Sequence, residues 1–216
     1  MKYPALLISC AALLALAATE ASFAGHDLHS VNGSVSANAG ESYDSISTVN
    51  GSVRVGKGAS ADVAKTVNGR VSLDDEAKVG DASTVNGSLE LGEGATVARD
   101  ASTVNGTIKL ASRARVGGDV TTVSGSIKAS GADIGGEIKT RNGDIDLADG
   151  TRVHKGLRIE KPNSEGWSWK RDEPNHVRIC ATCVVEGDLV FERPVDLTVE
   201  PGAKIGKVIG DQVTRH

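Results

Sequence analysis

The feature that most constrains this chain is a tripeptide that returns on a nearly fixed count. Val31-Asn32-Gly33 reappears as Val49-Asn50-Gly51, Val67-Asn68-Gly69, Val85-Asn86-Gly87 and Val104-Asn105-Gly106, with degenerate copies at Val123-Ser124-Gly125 and Arg141-Asn142-Gly143. The steps are 18, 18, 18, 19, 19 and 18 residues. Asn-Gly is the signature of a two-residue hairpin turn. A meander of hairpins gives no reason for the same tripeptide to return only after two further apolar segments. Self-similarity at this period is instead the mark of a solenoid, in which each repeat is one turn of a coil.

A finer period sits inside the first. Stepping by six from Val31 meets Ala37, Tyr43, Val49, Val55, Ala61, Val67, Leu73, Val79, Val85, Leu91 and Val97. The series resumes after single insertions at Val104 and Val123, and again at Leu147, Val153 and Ile159. Small or apolar residues also fill the fifth place of each hexad, as at Val35, Val53, Ala59, Val71, Ala77, Leu89 and Ala95. Strand alternation then predicts Val49 in, Asn50 out, Gly51 in, Ser52 out and Val53 in. The expected fold is all-β: a single-stranded, three-faced parallel β-helix (β-solenoid) of about 18 residues per coil, built as three hexads, with its handedness left open. Aromatic residues are 3% of the chain against 26 glycines. That composition suits a narrow interior of stacked Val, Ala, Ile and Leu rather than a wide globular core. Roughly nine coils at the usual strand spacing predict a rod about 43 Å long.

Residues 1–24 read as a secretory signal peptide. Lys2 is followed by an apolar run from Ala5 to Ala18, and Ser22-Phe23-Ala24 offers the small residues a signal peptidase reads. The run is short for a membrane span, and no later segment is more apolar. An alternative start is Leu7-Ile8-Ser9-Cys10, which matches a lipoprotein cleavage box but leaves little chain before Cys10. Residues 25–216 are then one exported solenoid domain, in the periplasm or at the cell surface. A net charge of −4 without a basic face predicts no nucleic-acid partner.

In a coil of this period the asparagines fall in register, one per turn: Asn32, Asn50, Asn68, Asn86, Asn105 and Asn142. Stacked amides satisfy one another along such a column. A threonine row precedes it: Thr48, Thr66, Thr84, Thr103, Thr122 and Thr140. The Asn-Gly-Ser and Asn-Gly-Thr copies also match a glycosylation sequon, but their regularity favours a structural role. An exposed threonine row would suggest an ice-binding plane, although a flat Thr-x-Thr face is expected there and the row is single. His26-Asp27-Leu28-His29 reads either as a weak metal-binding start or, preferably, as a disordered or capping terminus.

The repeat fails at about 160–176. Residues 161–174 read as a loop extruded from the wall, and they hold both tryptophans, Trp167 and Trp169. These are candidates for an interaction loop, with packing back onto the solenoid as the plainer alternative. Sixes resume at Val177, Cys183, Leu189 and Val195. Cys180-Ala181-Thr182-Cys183 lies in this stretch; in an exported protein the pair reads as a disulfide, with core thiols or a redox or metal role as alternatives. Zinc would need two further ligands, and only His176 and His154 are near in sequence. No metal, cofactor or catalytic constellation is expected.

The Thr-Val-Asn-Gly-Ser-Val copies behind a signal peptide resemble the bacterial putative-adhesin family of β-strand-repeat proteins, over about residues 30–160. Val185-Glu186-Gly187-Asp188-Leu189-Val190 and Pro201-Gly202-Ala203-Lys204-Ile205-Gly206 resemble strand phrases of bactofilins, which are polymer-forming and typically cytosolic. The hexads are also similar to those of left-handed β-helix acyltransferases, which need a catalytic histidine; His154 is the one histidine within the repeat proper. These resemblances imply a non-catalytic, adhesin-like structural protein of the cell envelope with an unidentified envelope or surface partner. The alternatives are a scaffold that self-associates through the solenoid ends and, more distantly, a hexapeptide-repeat acyltransferase.

Overall fold

A computed structural model describes residues 26–161 and 173–216. The described residues contain strands and turns and no helix. Every strand pairing is parallel, and partners lie one repeat apart, as in Val53↔Val71 and Val71↔Leu89. The described residues form a β-solenoid of about ten turns. One sheet holds ten strands, from Val35–Ala37 to Val213–Arg215, and forms the second face of the coil. The other holds sixteen and forks at Lys78–Asn86 into the first and third faces. Up to that strand the third face runs straight into the first. Beyond it the single-residue insertion at 98–100 breaks the run into Thr96–Val97 and Ala101–Asn105.

Coils two to eight each bury two side chains per face. In the third coil these are Ala64 and Thr66, Val71 and Leu73, and Ala77 and Val79. Stacked one coil apart, about 4.8 Å, like lies over like, and the columns form one continuous core from Ala37 to Leu197. The narrow interior is filled by small and β-branched side chains, which explains the scarcity of aromatics.

The valine of the repeated tripeptide departs from expectation. Val49, Val67, Val85, Val104 and Val123 are half-buried and stand outside the core, while Val31 in the first coil is 66% exposed. The inward residues of the first face are instead Ile46 and Thr48 and their equivalents. Unequal corners are the reason. Between buried positions the first corner takes residues 49–52, the second 56–58 and the third 62–63. The coil closes on 18, but its phase slips at the long Asn-Gly corner, so a uniform step of six points the valine the wrong way.

The glycine of that corner is required by close approach. A Cβ on Gly87 would lie 1.8 Å from the Gly69 carbonyl oxygen, and one on Gly106 1.9 Å from that of Gly87. Successive corners thus stack backbone on backbone, and a side chain would force the coils apart.

Candidate functional site

The polar rows of the repeat are spent on holding the coils together. Asn50, Asn68, Asn86 and Asn105 each donate from Nδ2 to the Oδ1 of the asparagine one coil before, at 3.1, 2.9, 3.0 and 3.0 Å, starting from Asn32. Ser124 takes the next rung, and Asn142 lies beyond it. The threonines point inward. The hydroxyls of Thr48, Thr66, Thr84, Thr103 and Thr122 donate to the carbonyl oxygens of Gly33, Gly51, Gly69, Gly87 and Gly106, at 2.8 to 3.3 Å. Each hydroxyl therefore serves the carbonyl of the tight corner one coil before. Thr140, also buried, has no such partner. With the whole row buried, there is no exposed threonine plane to support the ice-binding reading.

A third row escaped the sequence reading. Asp81, Asp100 and Asp119 line the third corner, and each carboxylate accepts the backbone N–H of the acidic residue one coil on: Asp100, Asp119 and Glu137. The signal was present as Gly80-Asp81-Ala82, Arg99-Asp100-Ala101 and Gly118-Asp119-Val120, recurring at 19. Cations relieve the stacked charge. Arg99 reaches Asp62 and Asp81 at 3.0 and 2.8 Å, and Lys139 reaches Asp119 at 2.6 Å and Glu137 at 3.3 Å. Burial alone would raise the Asp119 carboxyl, but the bonds from Lys139 and the Glu137 amide outweigh it and hold it below the ordinary range.

Coil eight, residues 156–185, carries the insertion and is braced on several sides among the described residues. Strand partners here are 32 residues apart, as in Ile145↔Val177, so the added chain leaves at the first corner, where other coils place Asn-Gly. Cations of coil eight sit between acids of coils seven and nine. Arg158 lies between Glu137 (3.2 Å) and Glu192 (3.7 Å), and Arg178 between Asp146 (3.6 Å) and Glu200 (3.7 Å). His176 stands likewise between Asp144 (3.4 Å) and Asp196 (3.7 Å). Arg193 of coil nine, 8% exposed, donates from Nη1 to the Arg141 carbonyl and to Asn142 Oδ1 of coil seven, spanning the displaced corner. Asn175 donates to the Gly143 carbonyl at 2.8 Å and re-enters the stack there.

Cys180 and Cys183 are joined by a disulfide. It closes the second-corner turn of coil eight, whose backbone bond runs from the Cys183 N–H to the Cys180 carbonyl at 3.0 Å. The same turn in other coils is made by pairs such as Asp74 and Ala77. His154 sits on the outer wall of the third face, with Nδ1 3.1 Å from Glu186 and Nε2 2.9 Å from Asp133. Hydrogen bonding to Glu186, supported by Asp133, raises its pKa above the ordinary value. Both ring nitrogens thus face carboxylates. An open trough of about 750 Å³ runs along the second face, lined by Arg54, Asp74, Glu90, Lys109, Lys128 and Asp146 among others.

The signal-peptide residues, Cys10, Trp167 and Trp169 lie outside the described residues. Among the described residues no cluster of three metal-ligating side chains is found, and no helix is long and apolar enough to cross a membrane. Compared with family profiles, curated proteins and solved structures, the chain matches none.

Proposed function

We propose that this chain is a non-catalytic, exported scaffold of the bacterial envelope, adhesin-like in character, whose solenoid presents an interaction element at coil eight. The observation that carries the reading is the bracing of that coil. A long insertion in a solenoid removes corner contacts from one rung and weakens coupling to both neighbours. Here ion pairs on two faces, a disulfide at the next corner and Arg193, reaching from coil nine to coil seven, tie together the coils on either side of the insertion. A base of this rigidity suits an element that must be held in place to meet a partner. The rows of Asn, Thr and Asp support a structural role, since their polar groups are used between coils. Export is supported by the apolar N-terminal run with its small-residue cleavage site and agrees with the disulfide.

The test is a pull-down of the tagged protein, recovered from its own compartment, against envelope and surface fractions. The wild type is compared with a chain lacking residues 161–174. Retention of a partner by the wild type and its loss in the deletion, with unchanged circular dichroism, supports the reading. Recovery of the wild type in the cytosol, or equal retention by both chains, overturns it.

A further inference from the structure

We propose that coil one is an assembly edge, which stacks head-to-tail on the last coil of a second copy of this chain. The first observation is a strand edge that is open among the described residues. Leu28–Asn32 and Val35–Ala37 each pair on one side, with coil two, and no described strand lies on their other side. Natural edges are blunted by lysine, proline, bulges or inward charges. Across residues 28–43 there is no Lys, Arg, Asp or Pro, and Glu41 is the single formal charge. Glu41 is turned away from that task, bonded to the Tyr43 hydroxyl and the Asn38 amide.

The second observation is apolar surface at the same end. Leu28, Val35 and Tyr43 occupy columns that are essentially fully buried in the middle of the rod, yet here they are half-buried, and Val31 is 66% exposed. The opposite end mirrors this. Ala203, Ile205, Val208 and Val213 are only partly buried, and Ile209 is 49% exposed. Among the described residues, both ends therefore leave the same core columns partly open.

Charge selects the pairing. Around coil one stand Asp27, Glu41 and Asp44, with no Lys or Arg between 26 and 44. Residues 203–216 carry Lys204, Lys207 and Arg215 against Asp211. Two acidic ends repel, as do two basic ones, while acidic on basic attracts. Because every strand is parallel, this pairing continues both sheets across the junction. The contact is heterologous and does not close, so it propagates.

The test uses the protein purified from the compartment where it accumulates, with its N-terminus read by mass spectrometry. Sedimentation velocity over a hundredfold concentration range should show species growing by one chain at a time beyond the dimer. Two variants leave coil-to-coil bonds in place. Val35 donates its N–H to coil two and Ala37 lends its carbonyl to it, so the intervening Ser36 N–H faces the open edge, and Ser36→Pro removes that donor. Val31→Lys charges the exposed stripe. Both should stay monomeric with unchanged circular dichroism and melting. Ser36→Pro keeps an intact last coil, so doping it into wild type should shorten the assemblies. A wild type that stays monomeric throughout, growth that stops at dimers, or equal assembly by both folded variants overturns the proposal. The coil-eight reading stands or falls separately, since its pull-down does not involve this edge.

Discussion

The threonine row offers a sharp test of how this coil is held, because one member lacks the bond the others make. Thr84 is 1% exposed and donates to the Gly69 carbonyl at 3.0 Å. Thr84→Val keeps the shape, removes the donor and strands a carbonyl in the tight corner. An unsatisfied buried acceptor costs about 1–3 kcal/mol, and the added methyl returns up to about 0.8 kcal/mol. The expected net loss is about 1 kcal/mol, or roughly 2–4 °C in Tm for a chain of this size. Thr140 is buried to the same degree, but its hydroxyl has no partner. Its column continues into Ile159 and then Phe191. Thr140→Val should therefore raise Tm, by about the same few degrees, since it removes a desolvated hydroxyl and extends an apolar column. Differential scanning calorimetry of the two variants beside wild type is sufficient. Shifts of the same sign and size would refute the claim that the hydroxyl-to-corner bond, rather than side-chain shape, is what selects threonine here.

Three further outcomes follow from the same geometry. Gly87→Ala places a Cβ 1.8 Å from the Gly69 oxygen and should cost at least about 1–3 kcal/mol as overpacking, read as a lower urea midpoint. Cys180→Ala with Cys183→Ala removes a four-residue loop closure worth about 2 kcal/mol in the chain-entropy account; the same drop in melting temperature on reduction of the wild type checks it. His154 has its pKa raised, so its contribution is fully present below the unfolded value near 6.5 and is lost as pH rises through the folded one. The gap in stability between wild type and His154→Gln should then shrink from about pH 6 to pH 8. It should be small and salt-sensitive, because the imidazole is 37% exposed between Asp133 and Glu186.

What the sequence made legible follows from what repeats. A period of 18 and a return of Val-Asn-Gly were enough to place the asparagines in one column, because parallel stacking converts period into register. The inside of the first face was not legible from a step of six. That step assumes equal corners, and the Asn-Gly corner takes residues 49–52 where the third takes 62–63. Threonine against valine is also a poor discriminator by hydropathy alone. Thr84 goes inward because a corner carbonyl waits for its hydroxyl, and Val85 stays at the wall. The Asp81, Asp100 and Asp119 row went unseen because it begins only where the step changes to 19. Coil eight was located as an irregularity, yet its bracing was not foreseen. Arg158, Arg178 and Arg193 meet Glu192, Asp146 and the Arg141 carbonyl across the insertion, and those pairings exist only once the 32-residue register is known.

That register bears on where specificity can reside. In a stack of near-identical rungs, a ligand able to dock on one coil meets much the same chemistry on the next, so a mid-rod wall discriminates poorly. Specific recognition needs a place where the rungs differ, and the described chain offers two kinds. One is coil eight, where the register widens to 32 residues, Arg193 reaches from coil nine to Arg141 and Asn142 of coil seven, and the Cys180–Cys183 bridge fixes the next turn. The other is the pair of ends, where the columns are cut and the charges differ in sign. Uniformity between these points has its own consequence. With each coil held mainly by its neighbours, a defect such as Gly87→Ala should loosen the coils beside it and leave coil eight folded. Native-state hydrogen exchange can read this coil by coil. Protection lost evenly along the rod would contradict nearest-neighbour coupling and, with it, the view that coil eight is braced locally.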